Sequence, residues 1–87
     1  TGFMHVRPPS GKTQIIFHAR RVETRENRGR YKPETLTISI GAQKTEAVIA
    51  GEEEVEIRVP LPQEKGAPLR IDFAGVSDIG ISRMSFE

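Results

Sequence analysis

The chain has 87 residues, 13 of them basic and 12 acidic, and this length supports one domain with a modest core, which we predict to span residues 1–87. Apolar residues make up 36% and charged residues 29%, which excludes the composition of a disordered segment, and no run approaches the roughly 20 apolar residues of a membrane-spanning helix. The chain contains no cysteine, which excludes disulfides and thiolate metal sites, and its composition does not identify a cellular compartment.

Apolar and polar residues alternate along much of the chain, as they do in a half-buried β-strand whose successive side chains point to opposite faces. Leu36, Ile38 and Ile40, for example, are separated by Thr37 and Ser39. No window of ten residues has a capped helical period, so we expect at most a single helical turn. Seven strands are predicted, and in chain order they are 3–7, 14–22, 36–40, 45–50, 55–61, 69–73 and 79–86.

The last predicted strand changes its alternation partway along. Ile79 and Ile81 lie on one phase, whereas Met84 and Phe86 lie on the other. One extra residue in a strand produces such a change, so we predict a β-bulge near residues 82–83.

Most of the glycines and prolines fall between the predicted strands rather than inside them. Such residues favour turns because glycine tolerates unusual backbone angles and proline cannot donate to a sheet. Seven short strands with frequent turns predict an all-β fold, a small antiparallel β-sandwich or jelly roll of about seven strands. The predicted turns include 8–11, 41–44, 51–53 and 62–68.

The segment 23–33, with the sequence ETRENRGRYKP, differs from the other connections in length and character. It shows no apolar alternation and is long for a hairpin turn, and long connections in compact domains are often functional or mobile. Basic residues concentrate in this part of the chain, since residues 1–33 contain most of the lysines and arginines but only two acids, Glu23 and Glu26. The segment is therefore the first candidate for a binding site.

Motifs that would support catalysis or a cofactor are weak. Residues 10–13, Ser-Gly-Lys-Thr, match the end of a phosphate-binding loop, but Val6 stands where that motif needs its first glycine, and a strand follows in place of a helix. His5 and His18 are the only histidines, and neither has metal-ligand spacing or a convergent catalytic partner. We therefore predict a protein that is not an enzyme and has no metal or cofactor.

The acidic residues allow two further interpretations. The carboxylates of 52–56 fall in one turn and strand start, where they solvate an edge and discourage aggregation more simply than they form a glycosidase pair. Asp72 and Asp78 flank the loop before the last strand, where oxygen ligands for calcium are one interpretation and turn-forming aspartates the other.

Four stretches in the second half of the chain show a resemblance to a known class of domain. They are LTISI at 36–40 with the following glycine, VEIRVPLP at 55–62, LRIDF at 69–73 and SDIGISRMSF at 77–86. Together they resemble the accessory β-sandwich modules of the carbohydrate-binding type found beside glycosyltransferases and glycoside hydrolases. The resemblance implies a jelly-roll fold, a non-catalytic role and a glycan partner.

The resemblance and the basic segment together predict glycan recognition through residues 23–33. Modules of that class commonly stack tryptophans on sugar rings, and because this chain has no tryptophan, Tyr31 is its candidate platform. The cations around it would hydrogen-bond hydroxyl or carboxylate groups, which suits an acidic glycan. These predicted binding residues are Arg25, Arg28, Arg30 and Lys32.

The alternative is a structural or protein–protein interaction module of a larger assembly, in which an exposed sheet edge accepts a partner's strand. In that case the charged side chains of the 23–33 segment are only solvated and bind no ligand. Nucleic acid is not an expected partner, because the four phenylalanines fall on strand faces that a core would use and leave no aromatic series on a basic face.

Overall fold

The computed structural model describes residues 2–62 and 68–87, which form seven strands. Each begins and ends within two residues of a predicted strand, and residues 63–67 of the predicted turn at 62–68 lie outside the described residues. The described part of the chain contains no helix with the length and hydropathy of a membrane span. The strands are β1 (Gly2–Val6), β2 (Gln14–Arg21), β3 (Glu34–Ile40), β4 (Gln43–Ile49), β5 (Val55–Pro60), β6 (Leu69–Ala74) and β7 (Ile79–Phe86).

The strands form two sheets, and every pairing is antiparallel. The first sheet has the order β1-β6-β3-β4, and the second has the order β5-β2-β7. The predicted all-β sandwich is confirmed. In the three-stranded sheet β2 is central and pairs along both sides, whereas β5 and β7 are edge strands.

The core lies between the two sheets and is formed by the alternating apolar residues that defined the predicted strands. Ile15 and Phe17 of β2, Ile38 of β3 and Ile71 of β6 are completely buried. The Phe17 ring meets Phe73 edge to face, with 5.4 Å between ring centroids, an arrangement that aromatic quadrupoles favour. Burial of these side chains is the main favourable contribution to folding.

The predicted bulge in β7 is confirmed. The register between β2 and β7 shifts after His18, so that Ser82 has no partner between Ile81 and Arg83. The Ser82 hydroxyl donates a hydrogen bond to the Glu54 carboxylate at 2.8 Å. Because of the extra residue, the apolar side chains on both sides of the bulge point toward the other sheet.

The two long sides of the sandwich differ in the contacts between the two sheets. On one side β4 contacts both β2 and β5 across the two layers, and the Gln43 side-chain amide donates to the Pro60 carbonyl at 2.9 Å. On the other side, within the described residues, no strand of the four-stranded sheet makes a comparable contact with β7. The sandwich is therefore closed between β4 and β5 and open between β7 and the β1–β6 pair.

Candidate functional site

A buried arginine at the end of β2 anchors the 23–33 segment. Arg21 is only 4% exposed, and its Nε and Nη2 donate to the two carboxylate oxygens of Asp78 at 3.0 and 2.7 Å. Its Nη1 donates to the carbonyls of Lys32 at 2.6 Å and Ile49 at 3.3 Å. The planar guanidinium suits this role because its donors point in fixed directions toward several acceptors at once.

Asn27 organises the segment from within. Its Oδ1 accepts hydrogen bonds from the backbone N–H groups of Thr24 at 3.0 Å and Gly29 at 2.9 Å. Its Nδ2 donates to the Val22 carbonyl at 2.9 Å and to Asp78 at 2.8 Å. Asparagine often closes turns through such side-chain bonds to nearby backbone. The segment is therefore an ordered loop attached to the end of the sandwich.

Tyr31 packs against the anchoring arginine. The guanidinium carbon of Arg21 lies 5.1 Å from the centre of the Tyr31 ring, within the range of a cation–π interaction. The Tyr31 hydroxyl is buried without a hydrogen-bond partner among the described residues, and burial raises the pKa of Tyr31, with a further contribution from Glu52. One face of the ring is thus covered by Arg21, and the residue as a whole is half-buried.

The structure places the other predicted binding residues on the same loop with their side chains in solvent. All four cations are exposed, and none forms an ion pair within residues 2–62 and 68–87. A shallow basin of about 480 Å³ is bordered by Arg25 and by the Arg21–Asp78 pair. The loop therefore carries all four cations exposed, whereas Tyr31 packs inward on Arg21. The four cations are Arg25, Arg28, Arg30 and Lys32.

The two aspartates considered for calcium are bound by different arginines. Asp78 is bound to Arg21, whose hydrogen bond lowers the pKa of Asp78, and Asn27 lowers this pKa further. Asp72 lies in β6 and accepts a hydrogen bond from Arg70 at 3.1 Å. No cluster of three metal-ligating side chains occurs within the described parts of the chain.

His18, Glu54 and Ser82 approach one another on the outer face of the three-stranded sheet. The Glu54 carboxylate accepts the Ser82 hydroxyl and lies 3.7 Å from His18 Nδ1, and the Ser82 bond lowers the pKa of Glu54. In a nucleophilic triad the imidazole must face the hydroxyl and take its proton. Here the carboxylate stands between them, so this arrangement does not activate Ser82.

The open side of the sandwich is an apolar groove that the sequence analysis did not predict. The groove has a volume of about 540 Å³ and runs between β7 and the β1–β6 pair. Met4, Leu36 and Phe73 contribute to one wall, and Ile81 and Met84 contribute to the other. Although both lie on the inward phase of β7, Ile81 is 40% and Met84 is 37% exposed.

The groove is flanked by backbone that lacks a neighbouring strand. Among the described residues, β7 pairs with β2 alone and β1 pairs with β6 alone. Alternate N–H and C=O groups along the outer edge of β7 therefore have no strand to pair with, although the Ile79 N–H, at the start of the strand, donates to the Val76 carbonyl at 3.3 Å. The alternation in 79–86 indicated a strand with a bulge, but only the strand order shows that this strand is an edge.

Comparison of the chain with family models, with curated proteins and with solved structures found no match.

Proposed function

We propose that this chain is a protein-interaction module that binds an extended segment of a partner protein along β7. The observation that carries this proposal is the coincidence of an unpaired strand edge with an apolar groove. Ile81 and Met84 point toward the opposite sheet, yet no strand covers them from the side. Covering such side chains with apolar groups is favourable because it removes their surface from water.

In the proposed complex the partner segment adds a strand to the three-stranded sheet. Its backbone pairs with the free N–H and C=O groups of β7, and its alternate side chains enter the groove. Main-chain hydrogen bonds then supply affinity, while the shape of the groove selects the apolar side chains. The partner's other side chains lie on the outer face of the sheet, level with those of β7.

Among the edge strands, β7 fits this role best. The opposite side of the sandwich is closed by the contacts of β4 with β2 and β5. The other strand beside the groove, β1, has five residues, whereas β7 has eight. A longer strand offers more backbone groups, so we place the partner on β7.

A test uses a decapeptide with valine or leucine at alternate positions and threonine between them. We expect it to shift the backbone amide resonances of β7 and of the groove residues Met4 and Phe73 in heteronuclear NMR spectra. Ile81→Lys should weaken binding, because it places a charge at the edge of the groove. Val48→Lys is the matched control, since Val48 is 59% exposed on β4 at the closed side.

Two results would contradict the proposal. One is an absence of binding by the decapeptide at millimolar concentration. The other is a set of shifts confined to the 23–33 loop or to β4, since the groove would then not be the binding surface. Thermal unfolding of both variants should stay close to that of the unaltered chain, because both substituted side chains are exposed.

Glycan recognition by the 23–33 loop is the second candidate, and the four exposed cations favour it. Replacement of Tyr31 would not test it cleanly, since the ring packs on Arg21. Arg28→Gln combined with Arg30→Gln should instead remove the affinity for a uronic-acid oligosaccharide, because each arginine donates hydrogen bonds to carboxylates. Lys12→Gln, an exposed cation outside the loop, is the control. Equal retention of all variants on immobilised oligosaccharide would contradict this candidate.

A further inference from the structure

From the charges beside β7 we infer that the partner segment is acidic, with a carboxylate next to Arg83. This inference rests on the proposed binding along β7. Arg83 is an exposed charged residue that borders the groove. It pairs with His18 across the sheet, so its side chain belongs to the outer face, opposite to the apolar side chains of the groove.

The position of Arg83 determines which residues of a partner would meet it. A strand added to β7 places side chains directly opposite those of β7 on each face of the sheet. Residues that enter the groove meet Ile81 and Met84, and the intervening residues lie on the outer face beside Arg83. Opposite charges in such cross-strand positions stabilise pairing, and like charges oppose it.

The surroundings of Arg83 leave it available for a carboxylate from outside the chain. It forms no ion pair with any side chain in 2–62 or 68–87. Glu54 lies near enough for Arg83 and Arg20 to lower its pKa, but its carboxylate is bound to the Ser82 hydroxyl at 2.8 Å. Arg20 and Arg83 therefore share the Glu54 carboxylate, with His18 beside it. The other two carboxylates of this outer face, Glu56 and Glu87, are paired with Arg58 at 3.2 and 3.0 Å.

Arg83 and Ser82 also disfavour a second copy of this chain as the partner on β7. Antiparallel pairing of one β7 with another over its full length would bring the two Arg83 side chains close together. The bulge at Ser82 also interrupts the regular edge that self-pairing needs, and bulges and charges are common protection against edge-to-edge association. An acidic partner segment is not repelled by Arg83. It also does not need a bulge that matches the one at Ser82.

The experiment uses three decapeptides with valine at alternate positions and threonine between them. They differ only at the central outward-facing position, which holds Glu, Gln or Lys. Isothermal titration with the full chain should show that the Glu peptide binds about two- to fivefold more tightly than the Gln peptide, the range expected of a cross-strand ion pair. The Lys peptide should bind most weakly, and added salt should reduce the differences.

Variants of Arg83 show whether this side chain is the cause. Arg83→Gln should remove the preference for Glu, and Arg83→Glu should reverse it in favour of the Lys peptide. Lys44→Gln, which removes an exposed cation from β4 on the closed side, should leave the preference unchanged. Thermal unfolding of each variant shows whether the fold is intact before the peptides are compared.

The outcomes separate this inference from the proposed function. If all three peptides bind equally to the unaltered chain, the acidic partner is wrong and binding along β7 stands. If none binds, both are wrong. If sedimentation velocity shows a dimer that the valine peptides dissociate, the occupant is a second copy, and the acidic segment is overturned.

Discussion

At the scale of single residues, Arg21 determines how the end of the sandwich is built. It lies opposite Ile79 in the pairing of β2 with β7, and its side chain is buried although it carries a charge. Burial of an unpaired charge is very unfavourable. Arg21 avoids this cost because Asp78 and the Lys32 and Ile49 carbonyls accept its hydrogen bonds. The same bonds hold the 23–33 loop against the strands.

The ion pair between Arg21 and Asp78 predicts that the stability of the fold depends on pH. Arg21 holds the pKa of Asp78 below its ordinary value, whereas an aspartate in the unfolded chain has a pKa of about 3.9. A lowered pKa in the folded state means that ionised Asp78 stabilises the fold above about pH 4, and that this contribution is lost as the pH falls through the folded-state pKa. The free energy of unfolding should therefore decrease on acidification below pH 4.

Asp78→Asn isolates this contribution. The amide cannot ionise, so the variant should be less stable than the unaltered chain at pH 7, and the difference should shrink as the pH falls from about 4 through the lowered pKa of Asp78. Urea denaturation at a series of pH values measures both quantities. A difference that stays constant with pH would show that Asp78 acts only through its shape and hydrogen bonds, without a contribution from its charge.

At the scale of elements, the strands and the bulge could be predicted because both leave a local pattern. Ile79 and Met84 differ in phase, and that difference alone located the extra residue. Pairing order leaves no such local pattern, because it depends on contacts between distant parts of the chain. The phase of Met84 is visible in the sequence, but its exposure follows from the edge position of β7. Likewise the partner of Arg21 lies 57 positions away, so the structure of the 23–33 loop was not predictable from its own residues.

The bulge itself leads to a prediction about β7. Deletion of Ser82 removes the extra residue and places Arg83 directly after Ile81, so the alternation runs without a break and Met84 and Phe86 keep facing the other sheet. Phe86 is half-buried against the core opposite Ile15 and should stay there, so the deletion should lower the free energy of unfolding by little more than the net value of the lost Ser82 hydrogen bond, about 1 kcal/mol. It should also preserve peptide binding along β7, because Met84 still faces the groove.

Ser82→Ala is the matched control for the deletion. It keeps the extra residue and loses the hydroxyl group, which lies 2.8 Å from Glu54 Oε2 and 3.2 Å from the His18 carbonyl. Its effect on the free energy of unfolding should also be about 1 kcal/mol, the net value of a typical hydrogen bond. Urea unfolding measures both variants. A loss about 2–4 kcal/mol larger in the deletion than in Ser82→Ala would show that Phe86 has turned away from the core.

At the scale of the whole molecule, the sandwich combines a well-supported centre with one incomplete side. The central strand β2 has hydrogen-bonded neighbours along both edges, and its residues Ile15, Phe17 and Ala19 are fully buried. Across the molecule, β4 closes the layers against β2 and β5. The opposite side ends in β7 and β1, whose outer edges have no strand beside them in the described part of the chain. Stability should therefore be distributed unevenly between the two sides.

Amide hydrogen exchange tests this distribution. The amides of Phe17 and Ala19 should exchange only through global unfolding, because both edges of β2 are paired and both side chains are buried. The β7 amides that face away from β2 should exchange far faster, at rates close to those of an unstructured chain. Addition of the valine decapeptide with the central Glu should slow those β7 amides selectively and leave the exposed amides of β4 unchanged. If the outer amides of β7 are already as protected as those of β2 in the protein alone, this edge is occupied, and the groove is not available to a partner segment.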